Sequence, residues 1–107
     1  MNYSRNDVVL LPIPFSDLTS DKVRPAIVIG RGPDPRDLVV VPITSQLLQV
    51  AFSLRDWKGC GLNVPSAIKG QLATVESRLV RHRTGSLGKA DSAALDRHLR
   101  AWLGLET

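Results

Sequence analysis

Arg24 and Thr44 stand ten residues before and ten residues after Asp34, in two β-branched, apolar segments separated by the breaker-rich run Gly32-Pro33-Asp34-Pro35-Arg36. A turn there folds the segments into an antiparallel hairpin. With the turn centred on Asp34, the guanidinium and the hydroxyl face each other across the pair, about 5 Å apart at Cβ. Arginine grips a phosphate with a planar fork, and a threonine hydroxyl donates to a phosphoryl oxygen. The chemistry on offer is that of a phosphoryl group held between the two. A slip of one residue at the turn would send the side chains to opposite faces. On pairing alone, the plainer reading has the edge: a surface charge at a strand end beside an ordinary β-forming threonine.

Charge gathers again further on. Between Lys69 and Arg83 lie four basic residues, Lys69, Arg78, Arg81 and Arg83, against the single acid Glu76, with His82 among them. Such a patch suits phosphates or an acidic protein partner, and equally a solvated strand edge. Cys60 is the only cysteine, so no internal disulfide forms. With only Asp56 as an acid near it, and no histidine, Cys60 reads as a structural thiol rather than a nucleophile. Trp57 can stack a base, though a loop tryptophan more often packs onto the core edge. His82 falls in a basic turn and His98 on a helix, so the two do not make an acid–base pair.

Several short elements must hold these residues. Residues 7–13, 23–29 and 38–44 are continuous apolar, β-branched runs without helical spacing and read as buried strands. Pro12 and Pro14 put the end of the first at a sheet edge or bend. Residues 15–22 form a polar loop that runs directly into Arg24. Weaker β signals follow at 50–54, 66–69, 72–75 and 78–80. From about Lys89 the period changes: Leu95, Leu99, Trp102 and Leu103 recur at helical spacing, predicting a helix with these side chains against the core or a second subunit. Gly88 serves as its N-cap, Gly104 as its stop, and Asp96 and Arg100 stand four apart in the favourable order. The pattern is a mainly β (α+β) domain: a small barrel capped by a C-terminal helix.

At 107 residues, 43% hydrophobic and 22% charged, the chain is one domain with one modest core. The net charge of +4 is a weak basic bias. No low-complexity stretch or repeat stands out. The longest apolar runs are strand-sized and cannot cross a bilayer, and the lone cysteine and the absence of a signal peptide suit a reducing cytoplasm.

Taken together, Asp7-Val8-Val9-Leu10, Pro12-Ile13-Pro14-Phe15-Ser16-Asp17, Val23-Arg24-Pro25-Ala26-Ile27-Val28-Ile29 and Pro42-Ile43-Thr44-Ser45-Gln46 resemble the MazF/PemK family of toxins from type II toxin–antitoxin systems. Pro65-Ser66-Ala67-Ile68, Gln71-Leu72-Ala73-Thr74 and the ending Leu103-Gly104-Leu105 are similar to the family's later strands and terminal helix. The likeness runs over nearly the whole chain, here as a single domain of residues 1–107. It implies an SH3-like (CcdB/MazF-like) barrel, a homodimer, and cleavage of single-stranded RNA with no metal or other cofactor. The family's catalytic arginine and threonine carry over to Arg24 and Thr44. Ser16, Asp17, Lys22, Ser45, Gln46 and Gln71 become RNA contacts, and Lys69, Arg78, Arg81 and Arg83 are candidates for the RNA backbone. A small acidic antitoxin is the implied partner. One departure stands out: many members carry an acid just before the glutamine that matches Gln71, and Gly70 occupies that place here.

Metal-free RNA cleavage uses the ribose 2′-hydroxyl as nucleophile and leaves a 2′,3′-cyclic phosphate and a 5′-hydroxyl. Arg24 then stabilises charge on the non-bridging oxygens and is also a candidate proton donor, with Thr44 bonding a phosphate oxygen and the general base unassigned. Two alternatives compete. A CcdB-type toxin that poisons a protein target uses a Trp-Gly-Ile tail, which the ending Leu103-Gly104-Leu105 lacks. An inactive RNA-binding barrel is the other.

Overall fold

The computed structural model describes residues 3–12, 22–48 and 50–105. The three apolar runs form β1 (Asp7–Pro12), β2 (Val23–Arg31) and β3 (Asp37–Thr44), paired antiparallel in that order. They lack an alternating pattern because both of their faces are covered. Val9, Leu11, Ala26, Val28, Leu38 and Val40 pack with Tyr3 and Val75 on one side. Val8, Ile27, Val41 and Ile43 pack on the other with Leu54, Cys60 and Ile68, and with Leu95 and Leu99 of the helix α1 (Lys89–Trp102). Each such valine, leucine or isoleucine contributes about 1.5–3 kcal/mol when fully buried.

The shorter elements are β4 (Phe52–Ser53), β5 (Ala67–Ile68), β6 (Ala73–Glu76) and β7 (His82–Ser86). β3 changes partner along its length: Asp37 to Val40 pair with β6, while Ile43 and Thr44 pair with β5. The sheet runs β4-β5-β3-β2-β1-β7, with β6 on β3. The mainly β domain with a terminal helix is as expected, but the barrel is not closed: β4 and β7 stay at opposite ends of the order. The expected strand at 78–80 is also replaced, by a 3₁₀ turn at Ser77–Leu79, and the last strand is β7. His-Arg-Thr-Gly-Ser is a polar strand that pairs with β1 at one edge, so it carries no apolar period to read.

The hairpin holds a detail that decides the site. Next to the turn, Gly30 pairs with Val39 and Arg31 with Leu38; beyond a β-bulge between Val28 and Gly30, Val28 pairs with Val40 and Ala26 with Pro42. The extra residue, Ile29, corrects a register that the turn alone would leave one residue off. Continued outward by two residues, the corrected register sets Arg24 opposite Thr44. Without the bulge they would lie on opposite faces.

Gly88 is the N-cap of α1, and Gly104 follows the helix at φ +68°, with its N–H on the Ala101 carbonyl and that of Leu105 on Arg100. This pair of bonds is a Schellman stop. Arg100 bonds Asp96 at 3.0 Å, and Arg5 reaches the same carboxylate. Only Leu95 and Leu99 of the expected apolar stripe are buried; Trp102 and Leu103 are exposed, because the helix outruns the sheet face it covers. No described helix is long and apolar enough to cross a membrane.

Candidate active site

At the open end of the β2–β3 hairpin lies a cleft of about 530 Å³. β2 supplies Arg24, the end of β3 supplies Thr44, Ser45 and Gln46, and Lys69 enters from beyond β5. The far wall is the loop Gly61-Leu62-Asn63-Val64, with Thr84 of β7 behind it. Arg24 Nε is buried and has no hydrogen-bond partner among the described residues. A buried N–H without an acceptor costs about 1–3 kcal/mol, so this guanidinium is held ready for an acceptor from outside. Thr44 Oγ1 accepts the Gln46 N–H at 3.1 Å, which leaves the hydroxyl proton to be donated elsewhere. Guanidinium and hydroxyl thus open on one cavity, a donor set for an anionic, tetrahedral group.

The other expected contacts divide. Ser45, Gln46 and Lys69 line the cleft with Arg24 and Thr44. Gln71 lies outside it, in an adjoining hollow with Gly70 and Trp102 that Lys69 also borders. Lys22 is exposed immediately before β2 and is not part of the lining. Ser16 and Asp17 lie outside the described residues. The basic run does not stay together: Arg78 pairs with Glu76 at 2.7 Å and Arg83 with Asp7 at 3.0 Å, and neither they nor Arg81 line the cleft. The strand β6 and the 3₁₀ turn carry them away from Lys69.

The far wall was not legible as part of the site, and its construction explains why. Asp91, buried in the first turn of α1, accepts the backbone N–H of Arg55 at 2.8 Å and of Asp56 at 2.9 Å. Asp56 in turn accepts from Gly59 N–H. Gly61 sits at φ +82°, and a Cβ on it would come within 2.4 Å of the Thr84 carbonyl oxygen. The Thr84 hydroxyl donates to the Cys60 carbonyl at 2.7 Å. The glycines around Cys60 were the one available signal; the partners lie more than twenty residues away.

The remaining polar candidates are structural. Cys60 is fully buried, and burial, followed by the charges of Asp91 and Asp56, pushes its thiol up, away from the thiolate form a nucleophile needs. Trp57 packs at the edge of the helix-side core with Lys58 Nζ 5.4 Å from its ring centre. His98 stacks on Phe52 at 4.6 Å, its Nδ1 bonded to the Ala94 carbonyl, and His82 is exposed on β7. Neither histidine lines the cleft.

The chain is thus an open antiparallel sheet backed by one helix, with a cleft at the hairpin mouth that carries the cations Arg24 and Lys69. A family model described as PemK-like, MazF-like toxin of type II toxin–antitoxin system matches residues 4–103, and the chain belongs to that family. The fold is similar to that of the Mycobacterium tuberculosis toxin MazF-mt6, with 21% identity, 94% of this chain and 99% of that one covered, and a TM-score of 0.74. It is also similar to an endoribonuclease in complex with its cognate antitoxin from a mycobacterial species, at 16% identity, 100% and 99% coverage and a TM-score of 0.73. A third solved structure, an endoribonuclease from a mycobacterial species, matches at 14% identity over 97% of this chain and 94% of that one, with a TM-score of 0.68. No curated protein matches.

Proposed function

We propose that this toxin is an endoribonuclease that cuts single-stranded RNA without a metal, through attack of the ribose 2′-hydroxyl on the adjacent phosphorus. The observation that carries the reading is the buried, unpartnered Nε of Arg24 in a cleft shared with the Thr44 hydroxyl. A scissile phosphodiester placed there satisfies both. Arg24 neutralises the charge that grows on the non-bridging oxygens, and Thr44 holds one of them in place for in-line attack. Ser45, Gln46 and Lys69 contact the flanking nucleotides, and Lys22, exposed just before β2, contacts the same strand. Arg81, exposed and outside the cleft lining, is left for the outer phosphates.

The toxin works as a homodimer inside the cell and is held by an acidic antitoxin. The exposed Trp102, Leu103 and Leu105 at the end of α1 support the first point, because a run of large apolar side chains at a helix end favours a covering surface. The solved relative in complex with its cognate antitoxin supports the second. A segment that orders on contact suits a cationic cleft of this kind.

The test is incubation of the purified protein with a defined RNA in excess EDTA, followed by analysis of the ends. Cleavage to 2′,3′-cyclic phosphate and 5′-hydroxyl ends is expected, with Arg24→Ala slower by roughly 100- to 1,000-fold, the cost of losing one preorganised donor. Undiminished cutting by Arg24→Ala would remove Arg24 from the mechanism, and binding of RNA without cyclic phosphate would make the protein a non-catalytic binder.

A further inference from the structure

The proposed cleavage needs a proton for the departing 5′-oxygen, and Arg24 is ill suited to give one because a guanidinium stays protonated in proteins. The described residues lining the cleft include no carboxylate and no imidazole; their only ionisable side chains are Arg24 and Lys69. Lys69 is also placed by the sheet. Its backbone N–H donates to the Pro42 carbonyl at 3.0 Å, continuing the register in which Ile68 faces Ile43 and Ala67 faces Thr44. Lys69 therefore stands opposite Pro42 and diagonal to Thr44, about 7–8 Å from it at Cβ. Carried two residues past Ala26↔Pro42, the β2–β3 register puts Arg24 opposite Thr44 on the other side of β3. On these registers Arg24 of β2, Thr44 of β3 and Lys69, the residue after β5, fall on one face with the threonine in the middle, and all three line the cleft. No described carboxylate forms an ion pair with Lys69.

We propose that Lys69 is the general acid of the reaction, a role beyond phosphate contact. The inference rests on the endoribonuclease reading above. The 2′-oxygen–phosphorus bond forms as the phosphorus–O5′ bond breaks. The electron pair of the broken bond stays on O5′, which takes a proton from the Lys69 ammonium. The 2′-hydroxyl proton passes to water, and Lys69 regains its proton from water after the products leave. The cationic fork and the ammonium flank the phosphorus from two sides, one at the non-bridging oxygens and the other at the leaving group.

The experiment compares wild type, Lys69→Met and Lys69→Arg on two RNAs of one sequence. One carries an ordinary 5′-oxygen at the scissile bond, the other a 5′-bridging sulfur, whose thiolate departs without a proton. Wild type must cut the oxygen-linked RNA in EDTA; if it does not, the endoribonuclease reading fails and this role falls with it. Given that activity, Lys69→Met is expected to lose roughly 100- to 10,000-fold in kcat on the oxygen-linked RNA and to recover to near wild-type rate on the sulfur-linked one. Lys69→Arg keeps the charge but not the transferable proton, so it should bind RNA with the wild-type salt dependence and show the same rescue. Equal loss on both RNAs, or full activity of Lys69→Arg, overturns the general-acid role while leaving the nuclease intact. Lys69 lies at the surface of the cleft, and unchanged thermal unfolding of each variant shows that the loss is chemical.

Discussion

Thr44 is the clearest single residue on which to test how the cleft works. Its oxygen accepts from Gln46 N–H, so the hydroxyl shapes the chain after β3 while its proton remains available to a ligand in the cavity. Thr44→Ser keeps both functions and is expected to hold most of the activity. Thr44→Val removes the hydroxyl at constant shape and leaves the Gln46 N–H to water; kcat should fall by roughly 10- to 150-fold, the equivalent of one hydrogen bond to a charged oxygen, about 1.5–3 kcal/mol. Comparing single-turnover rates of the two variants measures this. Cys60 shows the opposite case, a reactive atom type made inert. Because burial raises its thiol, the folded state holds the neutral form where an unfolded chain would ionise, at the ordinary value of 9.0. Its contribution is therefore complete below that pH and is lost as pH climbs through the higher folded value. Stability curves of wild type should decline at alkaline pH more steeply than those of Cys60→Ala, and native Cys60 should resist thiol reagents at pH 7.

At the scale of elements, what could be read in advance followed burial. β1, β2 and β3 are covered on both faces, and their continuous apolar runs announce them; the hairpin and the Arg24–Thr44 pairing followed from a count about Asp34. The count about Asp34 agrees with the outer pairs from Val28 to Ala26 only through a feature it did not contain, since the pairs beside the turn are one residue off and the bulge at Ile29 restores the register. β7 could not be foreseen because an edge strand with one partner has no need of apolar residues. The Gly61–Val64 wall could not either, because it hangs on contacts with Asp91 and Thr84 far along the chain. This last link is testable. Asp91→Ala strips two loop amides of their buried acceptor, at a cost of about 1–3 kcal/mol for each N–H left unmet. Its melting point should drop by several degrees, and hydrogen exchange should quicken at Arg55 and Asp56 while β2 and β3 stay protected. A melting point equal to that of wild type would mean that the loop holds itself.

At the scale of the whole molecule, two surfaces are left with unequal character. The cleft side is polar and cationic, whereas the end of α1 displays Trp102, Leu103 and Leu105, and Leu48 is also largely bare. The helix stripe expected to face a core continues past the sheet, so its last turn is free to meet another molecule. Leu103→Asp is expected to shift sedimentation from dimer to monomer while leaving the far-ultraviolet spectrum unchanged, because Leu103 adds nothing to either apolar cluster. A dimer that persists in this variant would place the contact elsewhere.

The failure of the sheet to close carries a liability of its own. β7 ends the strand order: among the described residues no further strand pairs its outer edge and only the Cys60–Gly61 turn lies against it at Thr84 and Gly85, and an edge left partly open in this way invites stacking with identical chains into fibrils. Its shortness and the positive charge of Arg81 just before it act as gatekeepers there, since two copies brought edge to edge would repel; Arg83 is already paired with Asp7. On this account Arg81 guards the edge as well as serving the outer phosphates, and Arg81→Val is expected to raise light scattering as the protein is concentrated.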